Sequence, residues 1–128
     1  MLDAPAAVDW LLQTPAGRAI DHRIYSGSET LHAPHLFDLE VSQVLRRLVQ
    51  QGIVSEGRAY EALRDLLDLR IARYPHFVLL PRIWQLRHNL SAYDAAYVSL
   101  AESLHASLIT RDRGLASVSG HSASIEVF

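Results

Sequence analysis

Four carboxylates are conspicuous in the sequence, because each lies among apolar residues or directly follows an apolar run: Asp3, Glu40, Asp94 and Asp112. An isolated charge beside apolar surface is costly unless a partner compensates it. The chain contains no lysine, and no arginine is obviously spaced to pair with all four acids. A divalent cation would compensate them, and an all-oxygen donor set favours Mg²⁺ or Mn²⁺ over zinc. Such a cation can bind a phosphate group, activate water and stabilise a leaving oxygen.

Each of these acids also fits a purely structural role. Asp94 has the position of the acidic residue in a capping box, where it would stabilise the positive end of a helix. Asp3 and Asp112 can cap helices, and Glu40 can be a partly exposed helix residue that pairs with Gln43 or Arg47 one to two turns along the helix. Composition and spacing suggest an acidic site without proving one.

The basic residues are all arginine, 12 in number, against a formal net charge of −2. High genomic GC content would produce this bias, but arginine also makes bidentate contacts with phosphate. The candidates for binding a nucleic-acid backbone are Arg46, Arg47, Arg82 and Arg87. Each can equally be a solvated residue on a helix face. The net charge does not decide the question, because local patches govern binding.

The elements that must position these residues alternate between short strands and helices. Turn residues, proline positions and apolar periodicity predict their order. They are a strand ending at Asp3, helices starting near Pro5 and Pro15, a strand over 31–33, helices over 35–51 and from Ser55 to Pro75, a short helix from Pro81, a helix from Ser91, and strands over 108–110 and 125–128.

Two of these helices have predicted inward faces. We expect the Ser55 helix to bury Ala59, Leu63, Leu66 and Leu67, and the Ser91 helix to bury Tyr93, Tyr97, Leu100 and Leu104. Strands that alternate with helices predict an α/β fold with a mainly parallel sheet. Sites in such folds gather at the carboxyl ends of the strands, where Asp3 and Asp112 fall.

Length and composition limit the classes of protein to consider. The 128 residues fit one domain, 1–128, and 49% of them are hydrophobic, which is enough for a core. The absence of cysteine excludes a disulfide framework, a thiolate zinc site and a cysteine nucleophile, and it suits the cytoplasm. No apolar run is long enough for a membrane span, and no secretion signal is visible, so we expect a cytoplasmic protein without a membrane partner.

The sequence lacks residues that other classes of α/β enzyme with an acidic pocket require. A phospho-accepting receiver domain needs a lysine at the phosphoryl group, and a haloacid-dehalogenase-type phosphatase needs both a lysine and an Asp-x-Asp motif. The chain has neither lysine nor that motif at Asp3. It also has no glycine-rich loop of the kind that P-loop and dinucleotide-binding enzymes use.

Segments around all four acids resemble, in the same order, the motifs of PIN-domain toxins of the VapC type. These segments are residues 2–4, 35–41, 92–97 and 108–112. Residues 81–89 resemble the actinobacterial branch of that family, and residues 120–128 resemble its last strand. The resemblance covers essentially the whole chain, and its two middle motifs are more specific than the first.

This resemblance implies a three-layer α/β/α PIN-like sandwich with a mainly parallel central sheet. It implies a metal-dependent endoribonuclease, the toxin of a type II toxin–antitoxin system, with Asp3, Glu40, Asp94 and Asp112 as catalytic ligands of Mg²⁺ or Mn²⁺. Thr110 matches a supporting hydroxyl beside the last acid, although a buried strand threonine bonded to backbone would look the same. A VapB-type antitoxin, an RNA substrate and a second copy of the chain are the implied partners.

One departure from the family pattern leaves an alternative open. Members usually carry Ser, Thr or Asn two residues after the first aspartate, whereas this chain has Pro5 there. The lost polar contact puts full activity in doubt. The alternative is a catalytically degenerate PIN-fold protein that binds RNA or acts as a scaffold.

Overall fold

Parallel strands and the helices that connect them make up the protein, and the computed structural model describes residues 1–128. The helices are α1 (Ala4–Leu11), α2 (Pro15–Tyr25), α3 (Phe37–Gln50), α4 (Glu56–Asp68), α5 (Leu80–Gln85) and α6 (Ala92–Leu104). The strands are β1 (Leu31–Pro34), β2 (Ile71–Tyr74), β3 (Leu108–Thr110) and β4 (Ile125–Val127). None of the helices combines the length and apolar character needed to cross a bilayer.

All strand pairings are parallel, which confirms the predicted α/β class. Strand β1 pairs with β2, and β3 pairs with β4. The expected first strand is reduced to Leu2, which forms a single parallel bridge with Ile109 of β3. It cannot extend further, because Asp3 already caps α1. The strands therefore form two short ladders, with Leu2 added to the second.

Side-chain caps fix the starts of three helices at the residues that the sequence predicts. Thr14, Ser55 and Ser91 each accept a hydrogen bond from the backbone N–H three residues later. Each cap satisfies one of the N–H groups that a helix start leaves without an intrahelical partner. The Ser91 cap matters for function, since it sets where α6 begins and so where Asp94 lies.

Two helices form the centre of the core. In α1 only Pro5 and Asp9 are not buried, and in α6 every residue from 95 to 101 is buried. Both helices are rich in alanine, which lets neighbouring elements approach closely on several sides. Their amino-terminal ends carry Asp3 and Asp94, so the most deeply packed helices hold two of the four acids in place.

The structure corrects the sequence prediction for the middle of the chain. The helix expected to run from Ser55 to Pro75 ends at Asp68, because Leu69 takes an extended conformation and residues 71–74 pair with β1 as β2. Two residues expected to face inward are exposed, Leu67 at 79% and Tyr93 at 66%. Both were assigned by their helical spacing, but Tyr93 lies in the exposed first turn of α6, and Leu67 lies on the exposed side of α4 next to the buried Leu66.

Candidate active site

The four acids singled out from the sequence line one open cavity of about 320 Å³. Its walls come from the starts of α1 and α6, one face of α3 and the segment after β3. The lining residues are Asp3, Ala4, Pro5, Glu40, Gln43, Val44, Arg47, Asp94, Tyr97 and Asp112. We refer to this cavity as the carboxylate pocket. Leu2 pairs in parallel with β3. Asp3, which follows Leu2, and Asp112, which follows β3, therefore lie at the same edge of the sheet.

Asp3 is the most buried of the four acids, with 9% of its surface exposed. One carboxylate oxygen accepts a hydrogen bond of 2.9 Å from the N–H of Ala6, and the other accepts a bond from the Thr110 hydroxyl. Burial raises the pKa of Asp3 from its ordinary 3.8 to about 6. The hydrogen bonds from Thr110 and Ala6 oppose this rise, and the charge of Asp94 adds to it.

Glu40 enters the pocket from α3 and is held by a residue of α6. The Tyr97 hydroxyl donates a hydrogen bond of 2.6 Å to Oε2 of Glu40. Burial raises the pKa of Glu40; the Tyr97 hydrogen bond lowers it and the charge of Asp94 raises it. Burial and the neighbouring carboxylates raise the pKa of Tyr97, so this phenol keeps its proton and remains a donor.

Asp94 is exposed at the start of α6, and its carboxylate bonds the cap residue. Its N–H donates to Oγ of Ser91 at 3.1 Å, and the Ser91 hydroxyl donates to Oδ2 of Asp94 at 3.0 Å. The side chain therefore does not reach the Ser91 backbone as a reciprocal capping box requires. Instead, its charge acts on the other acids, since it raises the pKa of both Asp3 and Glu40.

Asp112 is linked to Asp3 through one buried hydroxyl. Oγ of Thr110 accepts a hydrogen bond of 2.9 Å from the N–H of Asp112 while the same group donates to Asp3. Oδ1 of Asp112 accepts the N–H of Gly114 at 2.7 Å. A Cβ at residue 114 would lie 3.0 Å from that oxygen, so glycine leaves room for this turn.

The four acids have no basic side chain paired with them. The six ion pairs of the protein involve other carboxylates, namely those of Asp9, Glu29, Asp38, Glu61, Glu102 and Glu126. Of the predicted arginines only Arg47 lines the pocket, together with Gln43. The pocket is therefore a concentration of negative charge with one guanidinium at its wall.

The other predicted arginines lie elsewhere. Arg46 is exposed on α3 outside the pocket. Arg82 forms a bidentate ion pair with Glu102, which lies eight residues, or about 12 Å, along α6 from Asp94. The guanidinium of Arg87 lies 4.5 Å from the centre of the exposed Trp84 ring.

The donor set of the pocket suits a hard divalent cation. Every candidate ligand is a carboxylate oxygen, the type that Mg²⁺ and Mn²⁺ prefer. No three acidic or histidine side chains are close enough together to form a ready-made ligand cluster. Mg²⁺ commonly uses one or two carboxylates directly and reaches further groups through its own waters, so an open pocket of this kind fits it.

Sequence reasoning missed Tyr97 as a pocket residue. Its apolar ring fits the predicted core stripe of α6, and the ring is indeed 3% exposed. The available signal is its spacing of three residues from Asp94, which places both side chains on one helix face. A buried tyrosine also needs a partner for its hydroxyl.

Comparisons of the sequence with a family model and with individual proteins indicate the same family. The model of the PIN domain matches residues 1–120. Ribonuclease VapC12 of Mycobacterium tuberculosis is 41% identical over 127 residues, covering 99% of this chain and 97% of that protein. VapC ribonuclease Mb0985 of Mycobacterium bovis is 42% identical over 112 residues, covering 88% and 84%. Ribonuclease VapC1 of M. tuberculosis is 41% identical over 128 residues, covering 99% and 96%.

Proposed function

The chain belongs to the PIN-domain family and, within it, to the VapC ribonucleases, and we propose that it hydrolyses RNA with a divalent cation held by Asp3, Glu40, Asp94 and Asp112. Its activity is that of the toxin ribonuclease of a toxin–antitoxin system. The observation that carries the metal assignment is the carboxylate pocket itself. Its four acids converge without a paired base, and one of them is almost fully buried. A cation would offset this concentration of charge.

The chain's own residues contribute mainly orientation and charge. Mg²⁺ or Mn²⁺ would supply Lewis-acid stabilisation of the phosphodiester and activation of the attacking water. The hydrogen bonds from Ala6 and Thr110 fix Asp3, and Tyr97 fixes Glu40, so these carboxylates need little reorganisation during the reaction.

Arg47 is the best-placed residue to contact the RNA backbone. It lines the pocket beside Gln43, whereas the guanidinium of Arg82 is occupied by Glu102. A guanidinium matches the two oxygens of a phosphate group. We assign a supporting role to Arg46, which is exposed next to Arg47 on α3.

The inhibitor in this proposal is a VapB-type antitoxin that brings a basic side chain to the carboxylate pocket. The negative charge of the pocket supports this choice. A groove lined by apolar residues of α4, with Asp38 and Ser42 of α3 at its wall, could receive an apolar helix of the same antitoxin. A co-expressed antitoxin should lose affinity when Asp94 and Asp112 are both changed to asparagine.

A second copy of the chain is the other proposed partner. Four large apolar side chains within eight residues are between 54% and 67% exposed: Phe77, Val78, Leu80 and Trp84. Exposed apolar side chains that cluster in this way are typical of a protein–protein interface. Light scattering should give a dimer for the wild type and a monomer for Leu80→Asp.

Cleavage of RNA tests the proposed function directly. The purified chain, incubated with labelled host RNA, should cut it with Mn²⁺ and leave it intact with EDTA. Asp94→Asn should abolish cutting and toxicity with the fold unchanged. Asp65→Asn is the matched control, because it removes the same charge from an exposed position on α4, and it should cut normally.

The degenerate-protein alternative rests on Pro5, which lines the pocket where the family has a polar residue. It predicts binding of RNA without cleavage at any Mn²⁺ concentration. Pro5→Ser would then restore cutting. If the wild type already cuts RNA, this alternative is excluded.

A further inference from the structure

We propose that Tyr97 is a positioning residue of the ribonuclease, whose hydroxyl holds the Glu40 carboxylate in the orientation that binds the cation. This inference rests on the proposed metal site. It assigns to an apparent core residue a role that neither the sequence pattern nor the family comparison supplies. Four observations support it.

The first observation is the geometry of the hydrogen bond. The Tyr97 hydroxyl donates to Oε2 of Glu40 at 2.6 Å, a short bond of the kind that a charged acceptor makes. Oε1 of Glu40 accepts no hydrogen bond from the protein, so one carboxylate oxygen is anchored while the other stays available. This arrangement leaves Oε1 free to act as a monodentate ligand.

The second observation is that Tyr97 is held rigidly by the core, whereas Glu40 would be free to change rotamer without its hydrogen bond to Tyr97. The tyrosine is 3% exposed in a helix that is buried along seven consecutive residues. Glu40 is only half-buried, and its long side chain has several rotamers to lose on ligand binding. The Tyr97 hydroxyl is the only hydrogen-bond partner of the Glu40 side chain. A fixed ring that carries one donor is therefore what restricts the carboxylate.

The third observation is the position of Tyr97 within the pocket. It lines the carboxylate pocket together with Asp94, which precedes it by one turn of α6. Glu40 comes from α3, 57 residues away in sequence. The bond thus braces the two helices that carry two of the proposed ligands. A buried tyrosine needs some acceptor for its hydroxyl, and in this chain the acceptor is one of the proposed ligands.

The fourth observation is a contrast on the same helix. Tyr93 lies one turn before Tyr97, but it is 66% exposed and its hydroxyl makes no hydrogen bond. It does not line the pocket. The chain therefore contains a natural control, because removing the hydroxyl of Tyr93 changes neither the pocket nor the core.

The test is a double-mutant cycle read by Mn²⁺ binding to the metal-free protein in a calorimeter, with RNA cleavage as a second readout. Tyr97→Phe keeps the ring and removes the hydroxyl. It should weaken Mn²⁺ binding on the order of 10-fold, the usual effect of losing a residue that orients a ligand, and slow cleavage while leaving the RNA KM unchanged. Tyr93→Phe should match the wild type in both assays.

The decisive comparison is made in a Glu40→Gln background. If Tyr97 acts through Glu40, Tyr97→Phe should weaken Mn²⁺ binding much less there than in the wild type. An equal loss in both backgrounds, or wild-type binding by Tyr97→Phe, overturns the inference and leaves the proposed function intact. Wild-type Mn²⁺ binding by Glu40→Gln itself overturns the assignment of Glu40 as a ligand, and the inference with it.

Discussion

The buried hydroxyl of Thr110 donates a hydrogen bond to the carboxylate of Asp3, although the two residues are 107 positions apart. The same hydroxyl accepts the N–H of Asp112. One buried side chain therefore connects the first and last acids of the pocket through two hydrogen bonds. This arrangement exists only because β3 and Leu2 run parallel and end at the same edge.

Thr110→Val tests the importance of this hydroxyl for stability, because valine keeps the shape and removes the polar atom. Loss of the hydroxyl leaves the Asp112 N–H without its partner and Asp3 with one bond fewer. We expect the free energy of unfolding in urea to fall by about 1–3 kcal/mol.

Ser99→Ala is the control for that experiment. The Ser99 hydroxyl is buried in α6 and has no hydrogen-bond partner, so its removal should leave stability unchanged or slightly higher. If Thr110→Val unfolds at the same urea concentration as the wild type, the Thr110 hydroxyl does not stabilise the pocket.

The pH dependence of stability should carry the signature of Asp3. Its pKa is about 6 in the folded protein against 3.8 ordinarily, so between these values the folded state binds more protons than the unfolded state. Stability is therefore highest below pH 4 as far as this group is concerned, and it is lost as the pH rises through 6. Glu40, whose pKa is also raised, acts in the same direction.

The whole loss is about 3 kcal/mol for Asp3, since each pKa unit corresponds to about 1.4 kcal/mol, and roughly two thirds of it falls between pH 4.5 and 7. Urea unfolding in EDTA at pH 4.5 and 7 should show it in the wild type. Asp3→Asn, which cannot ionise, should show a clearly smaller loss over the same interval. Parallel pH profiles for the two proteins would contradict the burial of an uncompensated carboxylate at residue 3.

The sequence predicted where helices start better than where they end, since the helix from Ser55 ends at Asp68 and not at Pro75. Helix starts at Thr14, Ser55 and Ser91 carry local chemistry that can be read directly. Strand β2 was missed because its pairing with β1 lies 40 residues away and no turn signal separates it from α4. Asp3 and Asp112 lie together because they follow parallel strands that end at the same edge, which the alternating pattern of strands and helices predicts.

Other features of the site could not be predicted because they depend on side-chain contacts. An apolar stripe does not reveal that Tyr97 directs its hydroxyl into the pocket. Likewise, nothing in the sequence around Arg82 shows that its guanidinium is occupied by Glu102. Residue type suggested an RNA contact at Arg82, whereas the fold gives it an ion pair.

Substitution of Arg82 should therefore affect stability, whereas substitution of Arg47 should affect RNA binding. Arg82→Ala breaks a bidentate pair that lowers the pKa of Glu102 to about 2. Because solvent screens this partly exposed pair, the substitution should reduce stability by about 1 kcal/mol. Its RNA affinity should match the wild type. Arg47→Ala should keep wild-type stability and bind RNA more weakly, with a flatter dependence on salt.

Urea unfolding and RNA binding at several salt concentrations would measure both variants. Weaker RNA binding by Arg82→Ala at full stability would place Arg82 on the RNA surface. Unchanged binding by Arg47→Ala would remove the proposed phosphate contact at the pocket wall.

The last prediction concerns the charge of Asp94, which opposes ionisation of both Asp3 and Glu40. Asp94→Asn keeps the shape of the side chain and removes this repulsion. The metal-free variant should therefore melt at a higher temperature than the wild type. Loss of a favourable interaction with the start of α6, typically about 0.3–1 kcal/mol, acts in the opposite direction and limits the gain.

Mn²⁺ separates the two contributions of Asp94. It should stabilise the wild type by mass action, by about 2.7 kcal/mol at a concentration 100 times its Kd, because it binds the folded pocket and not the unfolded chain. It should stabilise Asp94→Asn much less. Thermal melts of both proteins in EDTA and in Mn²⁺ measure these effects, with Asp65→Asn as the control for an exposed charge elsewhere. If Asp94 served only to start the helix, the variant would melt lower than the wild type and respond to Mn²⁺ equally.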